Sequence, residues 1–172
     1  IPSLKDVYKN YFKIGTAIGP PNLSSPSFMN LFEKHFSGSV TLGNEMKPDY
    51  VLDQRATLAY MEENGGDDTN PQVSFEASKK MLEYCSKNNI PVRGHTLVWH
   101  SQTPDWFFKE NYDAEGDWVS KDIMIQRLEN YIKNMMNALA TQYPDVEIYA
   151  WDVVNEAFES NGEMRAAGSN NT

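Results

Sequence analysis

Apolar residues along this chain recur in two alternating rhythms. Helical spacing runs through Ser3 to Tyr11, where Ser3 is a candidate cap and Leu4, Val7, Tyr8 and Tyr11 share one face. Ser27 to Phe36 repeats it, with Phe28, Leu31 and Phe32 on one side, as does Phe75 to Lys87, with Ala77, Met81, Leu82, Tyr84 and Cys85. Ser120 caps the longest such run, Lys121 to Gln142, whose core face is expected to hold Ile125, Leu128, Tyr131, Ile132, Met135 and Leu139. Between these runs lie short, nearly continuous apolar stretches at Phe12 to Ile18, Ser39 to Glu45, Val92 to Trp99 and Val146 to Asn155. Those read as strands buried on both faces. Pro48 to Asn64 is mixed and partly helical, and Gly65 to Pro71 is a loop.

Strands alternating with helices imply a parallel sheet with right-handed crossovers. The segments after the strands are long and aromatic, above all Ser101 to Trp118, while those before them are short and plain. That asymmetry suits a (β/α)8 TIM barrel, which carries its chemistry at the C-terminal strand ends. A doubly wound sheet would need a glycine-rich first turn to hold a nucleotide, and Gly19-Pro20-Pro21 is not one. Four strands do not close an eight-stranded barrel, which takes about 250 residues. Residues 1–172 are therefore expected to supply about the first four βα units of one α/β domain, completed by a further segment that covers the open sheet edges. The run Gly168-Ser169-Asn170-Asn171-Thr172 is expected to be an exposed loop.

Charge narrows the partners. The net charge of −9 opposes nucleic acid and anionic membrane surfaces, both of which need a basic face, and is compatible with a neutral polysaccharide. Aromatics make up 12% of the chain, which serves either a filled core or flat walls for sugar rings. The one cysteine, Cys85, excludes an intrachain disulfide and reads as a small buried apolar residue. No apolar stretch reaches the length of a membrane span.

Three strand ends carry candidate chemistry. The fourth closes on Trp151-Asp152-Val153-Val154-Asn155-Glu156, an amide beside a carboxyl group. Glycoside hydrolysis needs one carboxyl group to protonate the leaving oxygen and a second to attack or to activate water; an amide near the acid can bind the sugar 2-OH. The alternative is a solvated strand-end cap. Strict alternation sends Asn155 and Glu156 to opposite faces, so both serve one site only if the strand ends there. The third strand offers His95 and Trp99 at equal parity, able to face one cleft, with His100 at opposite parity and Gln102 just beyond. His95 is either a donor to a hydroxyl or a satisfied core histidine; a zinc site lacks the ligand spacing. The second strand ends in Asn44-Glu45-Met46-Lys47, whose amide and ammonium suit hydroxyl groups but also suit an ordinary turn.

Taken in order, Asn44-Glu45-Met46-Lys47, Gly94 to Gln102 and Trp151 to Ala157 resemble glycoside hydrolase family 10, the endo-β-1,4-xylanases, over essentially the whole chain. The resemblance implies a retaining xylan hydrolase with Glu156 as general acid/base and Asn155 as its neighbouring 2-OH ligand. It implies that His95 and Trp99 surround the sugar at the cleavage point, that Asn44 and Lys47 bind the next xylose on the non-reducing side, and that Gln102, His100 and Glu45 are nearby polar groups. It implies a catalytic nucleophile on a later strand, outside these residues, an extracellular location, and no metal or organic cofactor. In a complete site the nucleophile's charge would raise the Glu156 pKa, a shift expected to shrink without it. Gly43 and Pro48 depart from the family's usual Glu and Trp and bear on the distal sugar. A β-1,4-glucanase of a related barrel and a non-catalytic xylan-binding fragment are the rival readings.

Overall fold

Four parallel strands, Gly15–Ile18 (β1), Ser39–Leu42 (β2), Val92–Trp99 (β3) and Ile148–Asn155 (β4), form one sheet in the order β1-β2-β3-β4. The computed structural model describes residues 1–166; the Gly168 to Thr172 run read as a loop lies outside them. Helices Leu4–Tyr8 (α1), Pro26–His35 (α2), Pro48–Val51 (α3), Gln54–Glu63 (α4), Lys79–Asn88 (α5) and Lys121–Gln142 (α6) complete the βαβαβαβ order. Each strand pairs with the next in sequence, from Gly15 opposite Ser39 to Trp99 opposite Asn155. Sequential parallel neighbours joined by helices are the repeating βα unit of a barrel wall.

The core lies between the sheet and its helices. Phe32 of α2, Val40 and Leu42 of β2, Met81 and Leu82 of α5 and Tyr131 of α6 are all buried there. Cys85 joins them as expected, and burial pushes its thiol up to about 12. Gly94 of β3 is dictated by its neighbour. A Cβ at this position would lie 2.3 Å from the Trp151 ring, so the indole of β4 packs flat against bare backbone.

α6 begins and ends as its pattern predicts, with the Ser120 hydroxyl accepting from the Ile123 N–H at 3.3 Å. Its inner face departs at one position. Ile125 is 53% exposed, and the fully buried position is Arg127. The Arg127 guanidinium donates to the carbonyls of Phe107 (2.8 Å), Lys109 (2.8 Å) and Asp68, pairs with the Asp68 carboxylate and lies over the Tyr112 ring. A buried charge is tolerable when its N–H groups are so matched. It ties α6 to the aromatic segment after β3, which contains two short 3-10 turns.

Other boundaries shift for local reasons. α1 is capped by Ser3 but ends at Tyr8 and buries none of its residues; Tyr11 is exposed and Phe12 stacks on Tyr8 rather than entering the sheet. β1 starts at Gly15 because pairing with β2 starts there. α5 starts at Lys79 because Phe75 to Ser78 forms a turn whose Ser78 hydroxyl bonds the Glu45 carbonyl. β2 is enclosed and β3 nearly so, with Arg93 alone exposed, but Tyr149, Val153 and Val154 of β4 are exposed. Among the described residues β1 and β4 each pair on one side only, so the expectation of strands buried on both faces holds only at the centre of the sheet.

Candidate active site

The site forms where β2, β3 and β4 end on the same side of the sheet. After β2 the chain turns, with the Lys47 N–H bonded to the Asn44 carbonyl, and Pro48 opens α3 at a position where a missing N–H costs nothing. This turn buries Lys47. Its ammonium donates to Asn44 Oδ1 and Gln102 Oε1, both at 2.7 Å, and lies 5.0 Å from the centre of the Trp99 ring. Two amide oxygens and an aromatic face therefore compensate the desolvated charge. The same contacts orient both amides, leaving their NH2 groups as the donors; one of them, Gln102 Nε2, lies 3.5 Å from Asn44 Oδ1. Gln102 holds positive φ just past β3 while its carbonyl accepts from the Asp49 N–H. Glu45 turns away from the cluster: its carboxylate accepts from the Asn44 backbone N–H at 3.1 Å.

β3 carries an irregularity that alternation could not foresee. His95 pairs with Asp152 and Val98 with Val154, so three steps on β3 match two on β4. One extra residue reverses the facing of the later residues of the strand. His95 and Trp99 thus do not share a face through equal parity, yet their ring centres are 6.5 Å apart. His95 is held by a group missed from the sequence: Asp152 Oδ2 lies 2.9 Å from His95 Nδ1, and Arg93 binds the other carboxylate oxygen. Burial works against the Asp152 charge, but hydrogen bonds and charges from Arg93 and His95 outweigh it and lower its pKa. An acidic residue inside an otherwise apolar strand was the available signal.

β4 ends at Asn155, which pairs with Trp99 and is half-buried. Glu156 takes φ of +50°, breaking the extended run, so alternation no longer governs it. Its Oε2 accepts from Trp99 Nε1 at 2.9 Å and meets His100 Nε2 at 3.0 Å. His100 lies one residue past the end of β3, which frees it from the opposite-parity expectation and brings it into direct contact. The Arg165 side chain closes the loop after β4 on the Glu156 carbonyl and on Glu159. Glu156 remains 54% exposed at its side chain. The hydrogen bonds from Trp99 and His100, with the His100 and Arg165 charges, hold its pKa below the usual value against a small desolvation effect. The upward shift expected of a complete site is absent from this chain, where hydrogen bonds to the charged form dominate.

Trp99 joins the two halves of the cluster, its ring meeting Lys47 and its N–H meeting Glu156. Asn44, Lys47, Gln102, Trp99, His100 and Glu156 thus form one connected string, with His95 beside it on Asp152. Chemically, the arrangement offers one solvent-accessible carboxyl group, amide and ammonium donors at a distance from it, and an indole wall between. No three His, Cys, Asp or Glu side chains among the described residues gather closely enough to hold a metal ion.

Residues 3–172 match the model of glycosyl hydrolase family 10. The chain is 46% identical over 170 residues to the bifunctional endo-1,4-beta-xylanase XylA of Ruminococcus flavefaciens, covering 98% of this chain and 17% of that protein. It is 48% identical over 154 residues to endo-1,4-beta-xylanase Y of Acetivibrio thermocellus, covering 90% and 13%. Among solved structures, the N-terminal endo-1,4-beta-D-xylanase 10B of Clostridium thermocellum complexed with xylohexaose superposes with a TM-score of 0.81 at 46% identity, covering 92% of this chain and 29% of that one. An intracellular xylanase of Thermoanaerobacterium saccharolyticum in complex with xylotetraose gives 0.74 at 34% identity, covering 96% and 46%. The chain thus spans less than half the length of each.

Proposed function

The chain belongs to glycosyl hydrolase family 10, and from that premise we propose that it contributes the acid/base half of an endo-acting, retaining β-1,4-xylanase. Its four parallel strands are the first units of that family's (β/α)8 barrel. One observation carries the functional reading: Glu156 stands at the C-terminal end of β4 with its carboxyl group exposed, gripped on one oxygen by Trp99 and His100 beside a fixed set of hydroxyl-binding groups.

In the proposed reaction Glu156 protonates the glycosidic oxygen while a second carboxylate attacks the anomeric carbon. The bond to the leaving sugar breaks as an ester bond to the protein forms. Glu156, now ionised, takes a proton from water, whose oxygen attacks the same carbon and frees the attacking carboxylate. Retention requires the two carboxyl groups about 5–5.5 Å apart. By the family's pattern the second belongs to a later strand, and the exposed edge of β4 is where the next strand would pair. Residues 1–172 are on this reading the front half of one domain, and the remaining barrel is its obligatory partner. Bringing an ionised carboxylate near Glu156 would oppose the local hydrogen bonds and raise its pKa, giving the acid form that the first step needs.

Trp99 and His95 line the sugar at the cleavage point, Asn155 binds its 2-OH, and Asn44, Lys47 and Gln102 bind the next xylose. Relatives crystallised with xylohexaose and xylotetraose support a β-1,4-xylo-oligomer as the ligand. Polymeric xylan is too large to enter a cell, which favours an extracellular enzyme; the Thermoanaerobacterium relative, an intracellular xylanase, makes short oligomers inside the cell the alternative. The test compares the 172-residue chain with a protein that continues through the rest of the barrel, on soluble xylan and on carboxymethylcellulose. Xylan turnover by the longer protein alone, with the β anomer as first product, is expected. Turnover by the short chain, or preference for the cellulose derivative, would contradict the reading.

A further inference from the structure

We infer that Gly43 is a specificity-determining position, whose missing side chain leaves room for a branch sugar on the xylose that Asn44 and Lys47 bind. This role rests on the xylanase reading above and deepens it. Gly43 stands apart among the described glycines. Each of the others is required by an atom crowding the place of a Cβ, as at Gly94 beside Trp151 and Gly116 beside the Glu110 carbonyl, or by positive φ, as at Gly65 and Gly162. At Gly43 φ lies outside the left-handed region, and a Cβ would meet one atom within 4 Å, the Ile18 carbonyl oxygen at 3.9 Å. That is ordinary van der Waals contact. A glycine in extended chain loses more conformational entropy on folding than other residues and packs nothing. Neither backbone geometry nor packing offsets that loss here, so the bare surface is what the position supplies.

The ladder fixes which way the bare position faces. The Gly43 N–H donates to the Ile18 carbonyl at 3.0 Å, so the pairing of β1 with β2 reaches one residue past Leu42. Val40 and Leu42 are buried in the core on the helix side of the sheet. Alternation therefore sets Thr41 and Gly43 on the opposite, inner face. Thr41 is level with Arg93 of β3, and two steps further along both strands lie Gly43 and His95. Gly43 is thus level with the histidine that lines the sugar at the cleavage point and directly precedes the amide that binds the next one. The long side chains nearest in sequence are engaged elsewhere: the Lys47 ammonium on Asn44 Oδ1 and Gln102 Oε1, and the Glu45 carboxylate on the Asn44 backbone N–H. The space is bordered by the Ile18 carbonyl, which keeps a second lone pair for a branch hydroxyl. An uncharged pentose branch such as an arabinofuranosyl group fits it; the carboxylate of an acidic branch would face that carbonyl oxygen.

The test uses the protein with its complete barrel and compares wild type, Gly43→Ala and Gly43→Gln, with folding checked by circular dichroism. The substrates are a linear xylo-oligomer and the same oligomer with one arabinofuranosyl branch, on O2 or on O3, and mass spectrometry of the products identifies the bond cut. Wild type is expected to cut one xylose beyond the branched one, toward the reducing end, which places the branched xylose against Asn44 and Lys47. In Gly43→Gln the ratio of kcat/KM for that cut to kcat/KM for the linear oligomer is expected to fall about tenfold or more, the scale on which a pocket rejects a group that no longer fits. Gly43→Ala is expected to lie between. Refusal of both branched oligomers at that bond by wild type, with the space filled by the rest of the barrel, would overturn the inference. Equal losses on linear and branched substrates would overturn it too, since they would mark a structural role. If Gly43→Gln does not fold, the comparison is made with Gly43→Ala, whose methyl group meets only ordinary contact. A wild type that leaves the linear oligomer intact would refute the xylanase reading instead, and calorimetric binding then decides the role of Gly43. A branched oligomer bound less well by Gly43→Gln than by wild type, relative to the linear one, would sustain the role; an unchanged ratio would overturn it.

Discussion

Asp152 shows how a single side chain outside the reacting set can serve two ends. Its carboxylate orients His95 through Nδ1, leaving Nε2 as that ring's outward nitrogen, and it binds Arg93 with the opposite oxygen. Its pKa is depressed in the folded chain. A depressed carboxyl group stabilises the fold fully above its unfolded pKa, near 3.9, and loses that contribution as pH falls through the lower folded value. Asp152→Asn is therefore expected to melt at a lower temperature than wild type at neutral pH, with the difference shrinking as the solution is acidified below about pH 4. Thermal melts across that range check it; a gap that widens in acid would mean the partnership is not ionic.

At the scale of elements, Arg127 bears more of the architecture than its polarity suggests. It occupies a fully buried turn of α6 and is the clasp between that helix, the loop at Asp68 and the aromatic segment after β3. Arg127→Met would fill much of the volume but strand three carbonyls and the Asp68 charge. A loss of about 3 kcal/mol in unfolding free energy is expected from denaturant titration; a change below about 0.5 kcal/mol would show the clasp to be dispensable. Periodicity fixed α6 and β3 to the residue, since each is a long run with clear ends, and three strand ends revealed the site residues. It could not give Arg127 an inward position, because a charged residue reads as solvent-facing unless its partners, nearly sixty positions away at Asp68, are known. His95 and Trp99 do meet beside one cleft, as expected, but not through equal parity: the extra residue in β3 is set by pairing with β4 and leaves no trace in the local alternation. His100 departs from its opposite-parity expectation, and Glu156 meets the condition that the strand end before it, because both stand past the last paired residue, where a turn rather than a pleat aims the side chain.

For the molecule as a whole, the described residues form part of a barrel wall with its chemistry on one rim. The acidic balance, the central buried strands and the exposed apolar edge of β4 agree with a polysaccharide enzyme whose sheet continues into further strands. Everything then turns on Glu156. In the protein carrying the complete barrel, Glu156→Ala is expected to lower kcat/KM on xylan by about 10²–10⁴-fold. It should still form the glycosyl-enzyme from an aryl xyloside whose leaving group needs no proton. Added azide, which needs no general base, should then restore turnover and release a β-xylosyl azide. Wild-type hydrolysis of xylan by Glu156→Ala, or an α-configured azide product, would contradict the assignment of Glu156 as the acid/base of a retaining enzyme.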